Sequence, residues 1–377
     1  MLSIFMFNLR LPKVKVATGL YSHLDSIIKV DENILEWIKN SKSSKSNKPV
    51  LNSIEEVVFS LKNSIKNGDS ESLISEEVYD KLNLMFPKRE FRIGGNGNNM
   101  GRTLLELGLT PLVSYPIRPA NLMKASPNFK IAYGNKLKSP KEAIRNDPEY
   151  DHIIFESEKW RNIFPWDLMT SQGIFDEDFL KIAFDPKLTD IAIIGYAHLL
   201  LPKYKKRTDF LLDFIKDKRS KIHLEFGVGC EESMKYAMES FAEKEACDSW
   251  GMNEKECRIY LKASSEDVED LREAALEAVN DYNLKRICVH SSKFAFSISK
   301  YDIKKEIEAL TTGCLAAVKA SDNLNLQSSK IIKKKLKDYN FCLVESFFNP
   351  HLKKITGLGD SFAAVQAVKI LATQTNL

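Results

Sequence analysis

The residues with the clearest capacity for chemistry lie near the C-terminus, in the stretch TGLGDSFAAVQAVKIL. Gly357 and Gly359 leave backbone N–H groups unobstructed, and the apolar run after them predicts a helix whose first amides and dipole attract an anion. Such an anion hole suits the charge on a transferring phosphoryl group. Asp360 lies beside it, where a carboxylate can accept the proton of an attacking hydroxyl. A glycine turn with Asp360 as the helix cap is the simpler interpretation.

A second group of oxygen-bearing side chains lies in the stretch SWGMNEKE, at a predicted turn into a helix. Asn253 and Glu256 are three residues apart, so they share one face of the first helical turn. Such a pair can hold waters around Mg²⁺, which prefers oxygen ligands. A capping box, with Asn253 as the N-cap and Glu256 three positions later, explains the same spacing, and taken alone it is the favoured interpretation.

A charged residue interrupts the apolar strand predicted for KIHLEFGV. Strand alternation places Glu225 on the same face as His223 and on the face opposite Leu224. A carboxylate at the end of a strand can reach a metal or phosphate region. A glutamate paired at the end of the sheet explains the residue equally well.

Polar side chains also follow the first predicted strand, in ATGLYSHLDSIIKV. That strand is expected to end near Gly19, with His23 and Asp25 directly after it. Ligands of open α/β sheets bind beyond the carboxyl ends of strands, so Asp25 could accept hydrogen bonds from sugar hydroxyls. A loop aspartate that caps the next segment is the alternative.

Paired glycines precede a cluster of asparagines in RIGGNGNNMG. Gly94 and Gly95 let the backbone approach a ligand closely. Asn96, Asn98 and Asn99 open a predicted helix, whose first amides and side chains can bind hydroxyls or anions. A glycine turn with an asparagine cap is an equally good explanation. The G-x-G-x-x-G spacing of a dinucleotide fingerprint is missing.

The elements that must position these residues alternate along the chain. Strand-like apolar runs separated by helical patterns predict a mainly parallel sheet with helices on both faces. The continuous apolar run DIAIIGYA is typical of a buried parallel strand. Two irregular stretches, residues 39–48 and 117 to about 166, predict a small β-rich appendage. The predicted strands are KVKVATGL, TPLVSYP, HIIFES, DIAIIGYA, KIHLEFGV, RICVHSS, FAFSIS and FCLVESFF.

Composition excludes several classes of function. The chain has 377 residues and a net charge of +4, which is too balanced to indicate nucleic-acid binding. The basic stretch Lys330–Tyr339 is interpreted as a solvated helix face. Six cysteines are spread singly, so neither a zinc site nor a disulfide framework is indicated, and free thiols fit a reducing cytosol. No apolar run long enough for a membrane span occurs.

Together and in this order, the motifs resemble the ADP-dependent glucokinase and phosphofructokinase family, a branch of the ribokinase-like sugar kinases. The resemblance spans about Val14 to the C-terminus, and its pieces are RIGGNGNNMG, DIAIIGYAHLL, IHLEF, SWGMNEKE, RICVHSS and TGLGD. It implies an α/β fold, a ribokinase-like three-layer sandwich with a mainly parallel central sheet and a smaller β-rich lid. We expect one large domain over residues 1–377, with a discontinuous lid at roughly 20–92 and 118–166.

The resemblance also implies an activity: transfer of the β-phosphoryl group of ADP to a hydroxyl of a sugar or sugar phosphate, giving AMP. Mg²⁺ is the implied cofactor and ADP the co-substrate, in a cytoplasmic monomer or small homo-oligomer without nucleic-acid or membrane partners. The resemblance implies that Asp360 is the catalytic base and that Gly357, Leu358 and Gly359 form the anion hole. It implies that magnesium is held by Glu225, Asn253 and Glu256, and that His290 lies in the nucleotide pocket. The residues implied to bind the acceptor sugar are Asp25, His23, Gly95, Asn96 and the lid cation Arg161.

Three departures from the family pattern concern the acceptor side. His23 stands where the family usually has asparagine, Gly97 follows Asn96 where alanine is usual, and the chain is shorter than typical members. A lid glutamate helps family members favour unphosphorylated glucose, and Glu71 lies in a roughly corresponding stretch. The alternatives are a non-catalytic sugar or nucleotide sensor on the same fold, and an ATP-dependent kinase for a pentose or nucleoside.

Overall fold

The structure is a computed structural model that describes residues 9–46, 48, 50–167, 169, 172–196, 203–215, 219–227, 229–320, 330–345 and 357–374. Over these residues strands and helices alternate, which confirms the predicted α/β class. The strands are β1 (Val16–Gly19), β2 (His23–Lys29), β3 (Val50–Leu51), β4 (Ser70–Glu71), β5 (Leu73–Ile74), β6 (Glu90–Gly94), β7 (Leu112–Val113), β8 (Ile131–Tyr133), β9 (Lys136–Lys138), β10 (Asp151–Glu156), β11 (Arg161–Phe164), β12 (Ile191–Tyr196), β13 (Lys221–Phe226), β14 (Ser249–Asn253), β15 (Arg286–His290), β16 (Phe294–Ser299), β17 (Ile331–Lys335) and β18 (Asn340–Glu345). The α-helices are α1 (Glu32–Asn40), α2 (Ile54–Asn67), α3 (Glu76–Met85), α4 (Asn96–Glu106), α5 (Ala120–Ala125), α6 (Glu177–Ala183), α7 (Tyr204–Asp213), α8 (Glu231–Glu243), α9 (Glu254–Tyr260), α10 (Val268–Asp281), α11 (Ile303–Ala320) and α12 (Leu358–Leu371).

A large sheet forms the middle of the molecule. Among the described residues it has nine strands, in the order β17-β18-β16-β15-β14-β13-β12-β1-β7. The strands from β7 to β15 in this order are parallel, and β16, β18 and β17 extend the sheet in antiparallel fashion. The carboxyl ends of β1, β12, β13, β14 and β15 therefore meet at one edge, where ligand sites of open α/β sheets form.

Helices cover both faces of this sheet. Along β12 the side chains alternate between two cores: Ile191 and Ile193 pack in the core built by α4, α11 and α12, whereas Ala192 and Ile194 pack in the other core. The second core is covered by α7, α8, α9 and α10, which pack in series. The continuous apolar sequence of β12 is explained by its burial along its whole length. Helices on both faces of the large sheet confirm the predicted three-layer sandwich.

A smaller sheet carries the residues that follow β1. Its strand order is β4-β11-β10-β2-β6 over the described residues, and α1, α2 and α3 contribute to the apolar core beside it. The sheet is mixed, since β2 pairs with β10 in parallel and with β6 in antiparallel fashion. The lid limits of roughly 20–92 and 118–166 stay a prediction; β6 runs two residues past the first of them.

Three local predictions need correction. His23 and Asp25 do not lie in a loop after β1, because both belong to β2 and its ladder. The stretch Lys330–Tyr339 is not a helix face: it forms β17 and the turn into β18, where it adds to the edge of the large sheet. A strand, β14, precedes the turn at Asn253 and was not predicted.

The ends of some predicted elements, in DIAIIGYA, FCLVESFF and TGLGD, lie outside the described residues. Among the helices that the structure describes, none combines the length and apolar character needed to cross a membrane.

Candidate active site

Asp360 lies in the first turn of α12. Its carboxylate accepts a hydrogen bond of 2.8 Å from the Asn99 side-chain amide, which reaches across from α4. Burial raises the pKa of the Asp360 carboxyl; the hydrogen bond from Asn99 opposes that shift, and the nearby Glu225 carboxylate adds to it. A carboxyl with a raised pKa beside a cleft is suited to proton transfer near neutral pH.

The start of α12 differs from the simple cap interpretation. Gly357 is the N-cap, with a left-handed φ of 78°, and it makes no side-chain cap hydrogen bond. Asp360 is the third residue of the helix, and its carboxylate bonds Asn99. The interpretation of Asp360 as the helix cap is therefore wrong. The first-turn amides, including those of Leu358 and Gly359, therefore lack the side-chain acceptor that caps the N-terminus of many helices.

The backbone conformation of Gly357 requires glycine, and the surroundings of Gly359 leave little room for a larger residue. A Cβ on Gly357 would lie 2.9 Å from Cγ of Asn99, and a Cβ on Gly359 would lie 3.2 Å from Cε1 of His290. The small residues thus let the helix start approach both the partner of Asp360 and the end of β15. An anion-hole role for Gly357, Leu358 and Gly359 stays a prediction.

Glu225 lies at the end of β13 between two histidines. Its Oε1 is 2.7 Å from Nε2 of His290, and its Oε2 is 3.0 Å from Nε2 of His223. Burial would raise the pKa of Glu225, but the charge of His290 and the hydrogen bonds from both histidines outweigh it and lower that pKa to about 2.

The two histidines respond differently to this carboxylate. Burial lowers the pKa of His223, which is fully buried. Burial would also lower the pKa of His290, but the Glu225 carboxylate outweighs it and raises that pKa. Glu225 and His290 thus form an ion pair at the carboxyl ends of β13 and β15, and the neutral ring of His223 donates a further hydrogen bond to the Glu225 carboxylate.

The Asn253–Glu256 pair forms the capping box that the spacing suggested. The Asn253 side-chain oxygen accepts a bond of 2.8 Å from the Glu256 amide, and the Glu256 carboxylate accepts one of 2.8 Å from the Asn253 amide. Burial raises the pKa of Glu256 to about 7; the bond from Asn253 opposes this shift, and the charge of Glu225 adds to it. Two half-buried carboxylates that repel each other are a donor set for a cation, so the capping and metal interpretations are compatible.

Asn96 and Gly95 join the two sheets. The Asn96 side-chain amide donates to the Gly195 carbonyl at 3.0 Å, and its oxygen accepts from the Tyr21 amide at 3.1 Å. Gly95 has a φ of 86°, and a Cβ there would lie 2.7 Å from the Tyr21 carbonyl oxygen. Both residues thus hold the chain where it passes from β1 to β2, between the large sheet and the smaller one.

Asp25 and His23 lie on β2, opposite residues of β6 and β10. Nε2 of His23 is 3.1 Å from Oδ1 of Asp25, and the side chains are 13% and 9% exposed. The ladder sets Asp25 opposite His152. The rings of His23 and His152 stack with centroids 3.6 Å apart. Nε2 of His152 in turn lies 2.5 Å from Oδ2 of Asp167.

The sequence analysis missed His152 and Asp167. Burial would lower the pKa of His152, but the hydrogen bond and charge of Asp167 raise it. The available signal was a histidine directly before the apolar residues 153–155 of β10, a strand that is buried over most of its length. Only the pairing of β2 with β10 connects that histidine to Asp25, across more than a hundred residues of sequence.

Arg161 and Glu71 lie on β11 and β4 of the smaller sheet. Nε of Arg161 is 3.2 Å from Oδ2 of Asp69. The charge of Arg161 weakly opposes the rise in the Asp360 pKa that burial produces. Glu71 is exposed, but the surrounding protein raises the pKa of its carboxyl, while the charges of His152 and His23 oppose that shift. Both residues thus lie within electrostatic reach of the cleft between the sheets.

Comparisons with known proteins bear on the family and the fold of the chain. The chain matches the model of the ADP-specific phosphofructokinase/glucokinase conserved region over residues 14–346. No curated protein matches it. A hypothetical ADP-dependent phosphofructokinase from Pyrococcus horikoshii OT3 has a TM-score of 0.75 at 16% identity, over 97% of this chain and 99% of that chain. An ADP-dependent kinase in complex with fructose-6-phosphate and ADPbetaS has a TM-score of 0.76 at 16% identity, over 98% and 96% of the two chains. At such identities the structural likeness establishes the fold.

Proposed function

The chain belongs to the ADP-specific phosphofructokinase/glucokinase family, and on that premise we propose that Asp360 is the general base of its ADP-dependent sugar kinase reaction. The observation that carries the proposal is the position of the Asp360 carboxylate. It lies in the first turn of a helix without a side-chain cap, held by Asn99 and within electrostatic reach of Glu225, His290 and Arg161.

Phosphoryl transfer needs a proton acceptor, amides that stabilise the phosphoryl charge and a further positive charge at this end of the site. The acceptor hydroxyl loses its proton to Asp360 as it attacks the β-phosphorus of ADP, and AMP leaves with the bridging oxygen. The amides of Gly357, Leu358 and Gly359 stabilise the charge on the transferring phosphoryl group. Arg161, which faces the same region from the smaller sheet, adds a positive charge from the opposite side.

The residues present fit a magnesium ion. Glu225, Asn253 and Glu256 offer oxygen donors. Burial first, and then the charge of Glu225, raises the pKa of Glu256 to about 7, and a bound cation would counter both effects. Bound Mg²⁺ would neutralise phosphate charge. The protein's own contribution is to hold Glu225 ionised through His223 and His290, and His290 thereby keeps a positive charge toward the nucleotide phosphates.

The acceptor is proposed to be an unphosphorylated sugar. Asp25, Glu71 and Asp167 bring three carboxylates to the end of the cleft that lies on the smaller sheet, around His23 and His152. Carboxylates accept hydrogen bonds from sugar hydroxyls and repel a phosphate group. The solved complex with fructose-6-phosphate makes a sugar phosphate the competing choice.

An AMP-release assay tests the proposed function. The purified protein is mixed with Mg²⁺ and either ADP or ATP, and with glucose, fructose 6-phosphate, pentoses and nucleosides in turn. We expect AMP from ADP with an unphosphorylated hexose and little turnover with sugar phosphates. Turnover with fructose 6-phosphate alone would overturn the acceptor assignment. Binding of sugar and ADP without any AMP would favour a sensor.

A further inference from the structure

A compact group of metal-ligating side chains lies on the smaller sheet, apart from the proposed magnesium residues. We call His23, Asp25 and His152 the His–Asp–His cluster. Each offers one ligand atom, and these atoms all lie within 4.8 Å of one another. Strand pairing produces the arrangement, since Asp25 is opposite His152 in the β2–β10 ladder and His23 precedes it by two residues on the same face.

The hydrogen bonds of the two histidines leave capacity for a further ligand. Nδ1 of His23 is buried and has no hydrogen-bond partner among the residues that the structure describes. Nε2 of His152 is held at 2.5 Å by the Asp167 carboxylate. A metal-ligating histidine usually shares its other ring nitrogen with a carboxylate, which fixes the ring and raises its basicity. His152 and Asp167 already have that relation.

We propose that the His–Asp–His cluster binds Zn²⁺ or a similar first-row transition-metal dication, and that the bound metal blocks the acceptor site. Two imidazoles and one carboxylate, with a fourth position open, are a donor set that zinc accepts. Zinc bonds of about 2.0–2.1 Å place tetrahedral ligand atoms about 3.3 Å apart. The unpartnered Nδ1 of His23 can carry the ring proton, so Nε2 is its ligand atom, and it lies 3.1 Å from Oδ1 of Asp25, already close to this spacing. The rings of His23 and His152 stack with centroids 3.6 Å apart, so they must rotate before both lone pairs reach one ion.

The chemistry of the two ends of the cleft separates the two metals. Nitrogen ligands favour zinc, copper or nickel over magnesium, whereas the carboxylate and amide oxygens of Glu225, Asn253 and Glu256 suit magnesium. The blocking effect rests on the proposed function, which assigns Asp25 and His23 to the acceptor sugar. Once they ligate a metal, their lone pairs no longer reach sugar hydroxyls, so metal and sugar should compete.

Metal binding is measured without nucleotide, so that turnover is not the readout. Zn²⁺ is titrated by calorimetry into the metal-free full-length chain, and Co²⁺ serves as a visible-absorption probe of nitrogen ligation. We expect one site, whose affinity falls at least about tenfold in His23→Asn, as the loss of a zinc ligand implies. The same loss is expected in His152→Asn, which keeps the test valid if one variant fails to fold, as checked by thermal unfolding.

Glu225→Gln is the matched control, because it alters the other carboxylate–histidine group and leaves the cluster intact. Zinc affinity that falls in Glu225→Gln and not in the histidine variants would overturn the proposed site. Glucose added to the zinc-loaded protein should raise the apparent Kd of the metal. Zinc binding that depends on His23 but ignores every sugar turned over by the enzyme would refute the block, and would leave the kinase activity itself standing.

Discussion

The two ends of the cleft are built in different ways. The proposed phosphate end, defined by Glu225, Asn253, Glu256, His290 and Asp360, lies at the carboxyl ends of parallel strands and at the start of α12. The proposed acceptor end, defined by His23, Asp25 and His152 with Asp167 bonded to His152, lies on strands of the smaller sheet. The first end is fixed by the large core of the protein, whereas the second depends on the pairing of β2 with β10. We therefore expect variants to separate into effects on turnover and effects on acceptor binding.

The largest loss of turnover should follow Asp360→Asn at the phosphate end. The amide keeps the shape of the side chain but cannot accept the hydroxyl proton. We expect kcat to fall by about 10²–10⁴-fold, the usual contribution of a general base. Steady-state AMP release gives the value. Asp338→Asn, at an exposed carboxylate in the turn between β17 and β18, should leave kcat unchanged, and a normal kcat in Asp360→Asn would refute the role.

A smaller loss is expected when the Glu225 carboxylate is neutralised. Glu225→Gln removes the charge that holds His290 protonated and that supports the cation at this end. Substitutions of groups that orient a metal site typically reduce activity or metal affinity by about 10–100-fold. The measurement is kcat/KM for ADP over a range of Mg²⁺ concentrations. Glu239→Gln, on an exposed face of α8, provides the comparison, and equal behaviour of the two variants would contradict the assignment.

The pH dependence should also originate at the phosphate end. Because the pKa of Glu256 is raised to about 7, this carboxyl is protonated below that pH and ionised above it. At limiting Mg²⁺, AMP formation should therefore rise about tenfold per pH unit below pH 7 and level off above it. Saturating Mg²⁺ should move the rise to lower pH, since a bound cation favours the carboxylate. A rise that persists unchanged in Glu256→Gln would show that another group titrates.

The smallest effect is expected at the acceptor end. His23→Asn removes the ring whose Nε2 lies 3.1 Å from Oδ1 of Asp25, so the carboxylate loses one orienting polar contact. A polar contact of this kind is worth about 1 kcal/mol, roughly a fivefold change in affinity. The acceptor KM should rise by about that factor with kcat nearly constant. A fall in kcat with an unchanged KM would place His23 with the chemistry instead.

The same contrast explains what sequence could predict. At the phosphate end, the spacing of Asn253 and Glu256 and of Gly357 and Asp360 is local, so the motifs were recognisable before the fold was known. At the acceptor end, His152 reaches Asp25 only through a strand ladder between distant segments. No short sequence motif predicts the pairing of β2 with β10.

Two errors of element type have the same origin. The sequence around His23 and Asp25 predicts a loop because its polar residues follow a strand directly, although tertiary pairing makes it a strand. The basic run Lys330–Tyr339 is interpreted from its charge pattern as a solvated helix face, since no second basic block accompanies it. Edge strands also carry lysines, which discourage pairing with other chains, and that is the state this run adopts.

The division of labour between the two ends is tested most directly by measuring two quantities on two variants. Calorimetry gives the Kd of the acceptor sugar for Asp360→Asn and for His23→Asn, and AMP release gives kcat for both. The account predicts that Asp360→Asn loses turnover by at least about a hundredfold while its acceptor Kd stays close to that of the wild type. It predicts that His23→Asn weakens acceptor binding about fivefold while its kcat stays nearly constant. Equal loss of acceptor binding and turnover in both variants would contradict it.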